Sequence, residues 1–423
     1  MKIQARSAAA APAGNTTFAL ILITTLFFLW GFAHNLDPIL IPHLKKSFTL
    51  TTTQATLVDS AVFIAYFLIA LPAGFIMKRY GYKTGIITGL LLFALGAFLF
   101  IPAANLQSYN FFLLALFVIA CGLTILETAA NPYASALGPA ESSTFRLNLA
   151  QSFNGLAAAL APVIGARVIL TKGYNDAELA AMTPSVRSIA LATEASSVKT
   201  PYFILGAVLV FIAIVFTFTR LPKIRQDQQQ PGSKNILHAF RHKHLTWAVV
   251  AQFFYVGAQV SVFSLFILYA TQAASMREVD AADLLGGCGI AFLIGRFLGT
   301  FLMKFIAPAR LLAVYAICSA LLCFIAIFMH GMITVYSIML ICFFMSIMFP
   351  TIFALGIKDL GADTEYGSSL IIMSIVGGAV LPRLFGAISD STGDIRTGYI
   401  IPLICFIVVA YFGWRGARPS KVI

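Results

Sequence analysis

The chain reads as a succession of long apolar runs separated by polar stretches, most of them short. The runs cover roughly 18–43, 54–77, 84–103, 110–137, 145–171, 201–221, 244–271, 282–304, 309–329, 331–357, 366–391 and 397–415. About 20 apolar residues, rising 1.5 Å each, carry a helix across a bilayer. The pattern therefore predicts an all-α membrane protein with twelve transmembrane helices. The first run has no small-residue cleavage site and is followed by many more, so it reads as span 1 rather than a signal peptide. Two polar stretches are long. Lys223 to His244 contains Gln-Gln-Gln-Pro-Gly and predicts a flexible linker. The stretch 172–200 is mixed in charge and predicts a partly ordered cap.

The pattern also repeats across that linker. Asn131-Pro132 is followed by Gly138, and Phe349-Pro350 is followed by Gly356, an offset of 218 residues. Gly74-Phe-Ile-Met77-Lys78 resembles Gly299-Thr-Phe-Leu-Met303-Lys304, an offset of 226. Similar offsets in the same order predict two six-helix halves with pseudo-symmetry. The expected plan is a tail (1–17), a first half (18–221), a linker (222–243), a second half (244–415) and a second tail (416–423). A binding site between two parallel halves is a transporter architecture.

Composition supports this reading: 60% of the 423 residues are hydrophobic and only 10% charged, where soluble proteins are nearer half and a quarter. The six cysteines fall in apolar runs and form no CxxC, which argues against a disulfide framework. There is no HExxH or GxSxG, so neither an enzyme nor a cofactor is expected. The net charge is +12. Nucleic-acid binding would need a basic face on a soluble module, and the sequence offers none. Membrane orientation explains the excess better. With both termini cytoplasmic, the inner segments hold 18 of the 28 lysines and arginines and the outer loops 7. The positive-inside rule then places both ends in the cytoplasm.

Against this background Glu127 stands out. It sits in the apolar run Cys121 to Tyr133, where an ionisable group costs about 2.5–3.5 kcal/mol on insertion scales. Glu127 and Asn131 are four apart and share a helix face. Pro132 removes a backbone donor and is expected to open the helix there. A cation carrier must be neutral in one state and ionised in another, and a buried carboxylate meets that need. Gln151 and Asn154 share a face of span 5, and their amides supply donors and acceptors suited to sugar hydroxyls. Gln252, Tyr255 and Gln259 form a similar stripe on span 7. Arg296 lies mid-span as a charge partner, gate residue or substrate contact. Lys78, Arg79 and Lys83 are expected to stabilise an inner gate. His34 and His43 read as lone structural histidines, and His242 and His244 as members of a solvated basic run.

Several segments resemble one family. The loop Gly74-Phe-Ile-Met-Lys78-Arg79-Tyr80-Gly81-Tyr82-Lys83 is similar to the signature loop of the major facilitator superfamily, with Lys78 where Asp is usual. Phe27-Phe-Leu-Trp-Gly-Phe-Ala-His-Asn-Leu, Leu126-Glu-Thr-Ala-Ala-Asn-Pro and Phe145-Arg-Leu-Asn-Leu-Ala-Gln-Ser-Phe-Asn resemble the L-fucose permease family. So do Ala251-Gln-Phe-Phe-Tyr-Val-Gly-Ala-Gln, Pro350-Thr-Ile-Phe-Ala-Leu-Gly-Ile-Lys-Asp-Leu-Gly and Tyr366-Gly-Ser-Ser. The resemblance implies a monomeric, proton-coupled importer of L-fucose or a related hexose in the bacterial inner membrane. It further implies that Glu127 is a protonation and sugar-contact site, and that Gln151 and Asn154 contact sugar. One departure matters. The family's helix 1 reads Asn-Leu-Asn-Asp-Ile-Leu, whereas this chain reads Asn35-Leu36-Asp37-Pro38-Ile39-Leu40. The acid stands one residue early, about 100° around a helix. Asp59, early in span 2, lies at the depth of Asp37. Two carboxylates at one depth are suited either to bind Na⁺ through hard oxygens or to share a proton at a raised pKa, which leaves room for Na⁺ as the coupling ion. The alternatives are thus a Na⁺-coupled glucose, galactose, mannose or N-acetylglucosamine transporter and, more distantly, a sugar sensor that does not transport.

Overall fold

The computed structural model of the chain describes residues 16–35, 48, 57–169, 182–196, 198–222 and 236–418. The first half runs through α1 (Thr16–His34), α2 (Leu57–Tyr80), α3 (Tyr82–Asn105), α4 (Tyr109–Ala136), α5 (Ser143–Ile169), a short helix α6 (Pro184–Ser196) and α7 (Lys199–Phe218). The second half runs through α8 (Lys243–Ser264), α9 (Phe266–Ala273), α10 (Glu278–Leu302), α11 (Pro308–Phe328), α12 (Met332–Met345), α13 (Met348–Gly356), α14 (Thr364–Met373), α15 (Gly377–Thr392) and α16 (Ile400–Tyr411). Eleven helical stretches among the described residues are long and apolar enough to cross a membrane. The twelfth expected span is α5. Its 27 residues reach across, and Arg146, Asn148, Gln151, Ser152 and Asn154 dilute its apolar character.

α4 is the axis of the first half. Every residue from Ile119 to Ser135 is buried. Small residues let its neighbours come close, as van der Waals packing between membrane helices requires. A Cβ on Gly89 would stand 3.0 Å from the Gly122 carbonyl oxygen, and one on Gly96 2.5 Å from the Ile119 nitrogen. Between α2 and α3 the chain turns on Gly81 alone, at φ +84°, a conformation that glycine adopts without steric cost.

The structure corrects several boundaries. Span 7, expected as one helix over 244–271, ends at Ser264 and resumes at Phe266, because Leu265 takes φ −101°, ψ 4°. Span 10 divides between Met345 and Met348. Span 11 passes through a 3₁₀ turn at Ser374–Val376 into Gly377, where any Cβ would collide with the Phe253 carbonyl oxygen. Pro132 does not open its helix, as α4 continues through it to Ala136. Its freed carbonyl, that of Thr128, accepts a 2.8 Å hydrogen bond from Ser368 Oγ of α14, so no end is left bare. The two histidines assigned to a solvated run are buried. His244 Nε2 lies 2.8 Å from the Lys358 carbonyl oxygen, and His242 Nε2 lies 3.5 Å from Asp363. The end of the linker packs onto the second half and withdraws both rings from water.

The halves close on each other at the end of the bundle that carries Lys78, Arg146 and Lys304, here called the basic end. The Lys78 ammonium lies 4.2 Å from the centre of the Tyr366 ring. A Cβ on Gly74 would collide with Ser369 Oγ. Tyr82 lies beside Glu365, and Lys304 lies 5.4 Å from the Phe145 ring centre.

Candidate functional site

The apolar run of α4 is interrupted by Glu127 and Asn131, one turn apart. Four-residue spacing puts both on one face, and the packing of α4 buries both, Glu127 to 8% exposure and Asn131 fully. Glu127 Oε1 accepts a 3.2 Å hydrogen bond from the Tyr66 hydroxyl of α2, while Oε2 has no partner among the described residues. Asn131 Oδ1 accepts from Gln151 Nε2 of α5 at 3.2 Å, and Asn131 Nδ2 is unpartnered. One turn of α4 thus presents an unspent acceptor and an unspent donor. Buried polar atoms are nearly always hydrogen-bonded, so two such atoms on one face mark a place for a polar ligand.

Other predicted residues take different positions. Asn154 donates from Nδ2 to the Phe27 carbonyl oxygen of α1 at 3.2 Å. A Cβ on Gly31 would stand only 2.6 Å from that nitrogen. Its amide donor is therefore committed to helix packing in this state. On α8, Gln252 is fully buried, and neither amide atom has a partner among the described residues. Tyr255 is also buried and donates to the Met345 carbonyl oxygen at 3.0 Å. Gln259 is half-buried on the same helix. The second half thus offers a fully buried, uncommitted amide in Gln252.

Arg296 of α10 is nearly buried, at 4% exposure. Its Nε donates to the Ser346 carbonyl oxygen at 2.7 Å and an Nη to the Gln151 carbonyl oxygen at 2.9 Å, with Phe292 beneath the guanidinium at 4.5 Å. It therefore braces the backbone that carries Gln151. Of the three basic loop residues, Lys78 meets Tyr366 across the halves, and exposed Arg79 lies 5.4 Å from the Tyr80 ring centre. Lys83 instead donates to the carbonyl oxygens of Thr217 and Thr219 at 2.8 and 3.0 Å. Those bonds cap the last turn of α7 within its own half. Asp37 lies outside the described residues, as does the side chain of Asp59.

Two contributors were missed from sequence. Tyr66, the partner of Glu127, is one tyrosine among 14 in an apolar helix, and nothing in its spacing singles it out. Asn148 of α5 is fully buried and donates 3.2 Å to Thr351 Oγ1 of α13 across the halves, with Oδ1 unpartnered. Its signal was available, since it stands three residues before Gln151 on the same helix.

Comparison with known proteins places this geometry. The sequence profile described as Major Facilitator Superfamily matches residues 16–363. The L-fucose-proton symporter of Escherichia coli is 45% identical, over 92% of this chain and 91% of that protein. The glucose/galactose transporter of Brucella abortus is 40% identical, over 96% and 95%. Among solved structures, a major facilitator transporter, FucP, in the outward conformation superposes with a TM-score of 0.89 at 42% identity, covering 96% of this chain and all of that one.

Proposed function

The chain belongs to the major facilitator superfamily, and we propose that it imports a monosaccharide together with a proton by alternating access. The observation that carries this reading is Glu127, a buried carboxylate with one oxygen held by Tyr66 and the other unspent beside Asn131. The names of the relatives support it from a separate direction: one is a fucose–proton symporter and the other a glucose/galactose transporter. The sugar is L-fucose or a related hexose. Asn131, Gln151 and Asn154 engage its hydroxyls from the first half, and Gln252, Tyr255 and Gln259 from the second. A proton on Glu127 neutralises the one carboxylate that the described residues bring to this cluster, and the two halves then rock over a dry cavity. A ligand drives that motion only through unequal binding to the two states.

The basic end faces the cytoplasm of the inner membrane, with both termini inside and the protein a monomer. The halves 18–221 and 244–415 move against each other about the linker 222–243. A proton needs a single carboxylate, and Glu127 supplies it. A Na⁺ site would need several hard oxygens.

The test is uptake of labelled L-fucose, galactose and glucose into proteoliposomes under a pH gradient without Na⁺. The expected result is accumulation of at least one sugar. Glu127→Gln, which mimics the protonated acid, is expected to lose accumulation and keep exchange. Accumulation driven only by a Na⁺ gradient, or full accumulation by Glu127→Gln, overturns the proposal.

A further inference from the structure

Below the Glu127 cluster, toward the basic end, unspent polar atoms continue in a line. Asn131 Nδ2 is followed one turn along α4 by Ser135 Oγ, which is also buried and unpartnered among the described residues. Facing them on α5, Gln151 is followed by Asn148, about 4.5 Å nearer the basic end at 1.5 Å per residue. Asn148 Nδ2 divides its donors between the Thr144 carbonyl oxygen at 2.9 Å and Thr351 Oγ1 at 3.2 Å. Its Oδ1 has no partner among the described residues. Thr351 in turn donates 2.6 Å to the Ile347 carbonyl oxygen. Asn148 and Thr351 are both fully buried.

The arrangement is unlike an ordinary helix–helix contact. Leaving a buried polar atom unpaired is costly, and native folds tolerate it where a function repays it. Here three such atoms, Asn131 Nδ2, Asn148 Oδ1 and Ser135 Oγ, lie on two adjacent helices in order of depth. Where the line meets the second half, its partner is a hydroxyl, the group that a sugar carries at most of its carbons. Gln252 adds two further unspent atoms from α8. Ala248, on the same face, packs on Gly356, and Tyr255 reaches Met345. Gln252 therefore lies on the α8 face turned toward α13, the helix of Thr351.

We propose that Asn148, Ser135 and Thr351 form a second sugar station, the exit side of the transport path, sealed in this state by the Asn148–Thr351 hydrogen bond. When the halves part at the basic end, that bond is lost. The amide of Asn148 and the hydroxyls of Ser135 and Thr351 then pass to the hydroxyls of the departing sugar. This rests on the sugar-symport reading above.

The experiment uses full-length protein in proteoliposomes, with whichever of L-fucose, galactose or glucose the wild type carries. Asn148→Ala, Thr351→Val and Thr351→Ser are compared by equilibrium sugar binding and by maximal efflux from preloaded vesicles. The station predicts binding within threefold of wild type and a maximal efflux rate lowered tenfold or more in Asn148→Ala and Thr351→Val. Thr351→Ser, which keeps the hydroxyl, retains the wild-type rate and separates a lost contact from a lost fold. A clasp that never touches sugar predicts the opposite sign, because cutting it frees the basic end to open. Unchanged or faster efflux in Asn148→Ala therefore overturns the proposal, as does a parallel loss of binding and efflux. Wild-type vesicles that carry none of the sugars overturn the symport reading and this inference with it. An active wild type with unaffected variants overturns this inference alone.

Discussion

Pro132 and Pro350 hold equivalent places in the two halves, yet the helix around one is whole and the helix around the other is broken. α4 runs through Pro132 from Tyr109 to Ala136, whereas α12 stops at Met345 and α13 begins at Met348, two residues before Pro350. Each proline frees the carbonyl four residues earlier. In the first half that carbonyl is Thr128, and it is taken by Ser368 Oγ from the opposite half. In the second it is Ser346, and it is taken by Arg296 Nε from the same half. A hydroxyl asks for one bond and leaves the helix straight. A guanidinium brings a charge and a fork of donors, and Arg296 uses a second nitrogen to hold the Gln151 carbonyl of the first half. The same substitution in a repeated sequence has thus been put to two uses: one supports the helix that carries Glu127, the other anchors a cation between the halves.

The strongest way to break this comparison is to remove the guanidinium. Arg296→Met keeps much of the volume, leaves the Ser346 carbonyl, whose intrahelical donor Pro350 removes, without a donor, and takes from the Gln151 carbonyl the bond it accepts beyond its own helix. At about 1–3 kcal/mol for a buried group left unsatisfied and about 1.5–3 kcal/mol for a hydrogen bond from a charged donor, the loss is about 2.5–6 kcal/mol. It reads out as a large fall in the melting temperature of the purified protein. Arg296→Lys restores part of it, because an ammonium reaches one carbonyl better than two divergent ones. An unchanged melting temperature in Arg296→Met would mean that water or another side chain already serves both carbonyls.

Next in size is the hydroxyl. Ser368→Ala removes the side-chain donor to the Thr128 carbonyl, at a cost of about 1–3 kcal/mol. Because this bond crosses the halves, the cost falls on the state closed at the basic end and not on the half itself. Each 1.4 kcal/mol is a factor of ten in population. A cysteine introduced by Ser135→Cys, buried in this state, is therefore expected to be alkylated about tenfold faster in the Ser368→Ala background. Equal rates would show that the bond does not bias the equilibrium.

The two prolines also show what the sequence could and could not reveal. The spans and the repeat were legible because apolar periodicity and the spacing of Asn131-Pro132 and Phe349-Pro350 are properties of the local chain. The burial of Glu127, Asn131 and Gln151 was legible for the same reason, because polar residues at helical spacing inside apolar runs turn away from lipid. The consequence of Pro132 was not legible. Its missing donor is visible, but the group that takes the freed carbonyl stands 240 residues away, and only the fold brings it near. Lys83 was misplaced by the same limit, since the carbonyls it caps lie on α7, more than 130 residues on. Tyr66 gave no sign, because an aromatic residue in a membrane helix looks alike whether it packs or donates. The acid beside Pro38 was visible as a departure, and its place falls outside the described residues.

The smallest effect gives the sharpest test of the comparison. Pro132→Ala returns an amide to position 132, where helical geometry aims it at the Thr128 carbonyl. That carbonyl then has an intrahelical donor and no longer depends on Ser368. The prediction concerns coupling more than either single change. In the wild-type background Ser368→Ala costs the closed state about 1–3 kcal/mol, and in the Pro132→Ala background it should cost less by about 0.5–1.5 kcal/mol, the scale of interaction energies between residues that share a partner. The readout is again alkylation after Ser135→Cys, measured for both single variants and the double. Pro350→Ala serves as the control in the second half. It restores a donor to the Ser346 carbonyl but does not replace the second bond, from Arg296 to the Gln151 carbonyl across the halves, so it should relieve only part of the Arg296→Met loss. If Pro132→Ala and Ser368→Ala prove additive, the hydroxyl is not replacing the proline's missing donor. If Pro350→Ala rescues Arg296→Met completely, the second half uses its proline as the first half does, and the contrast between them falls.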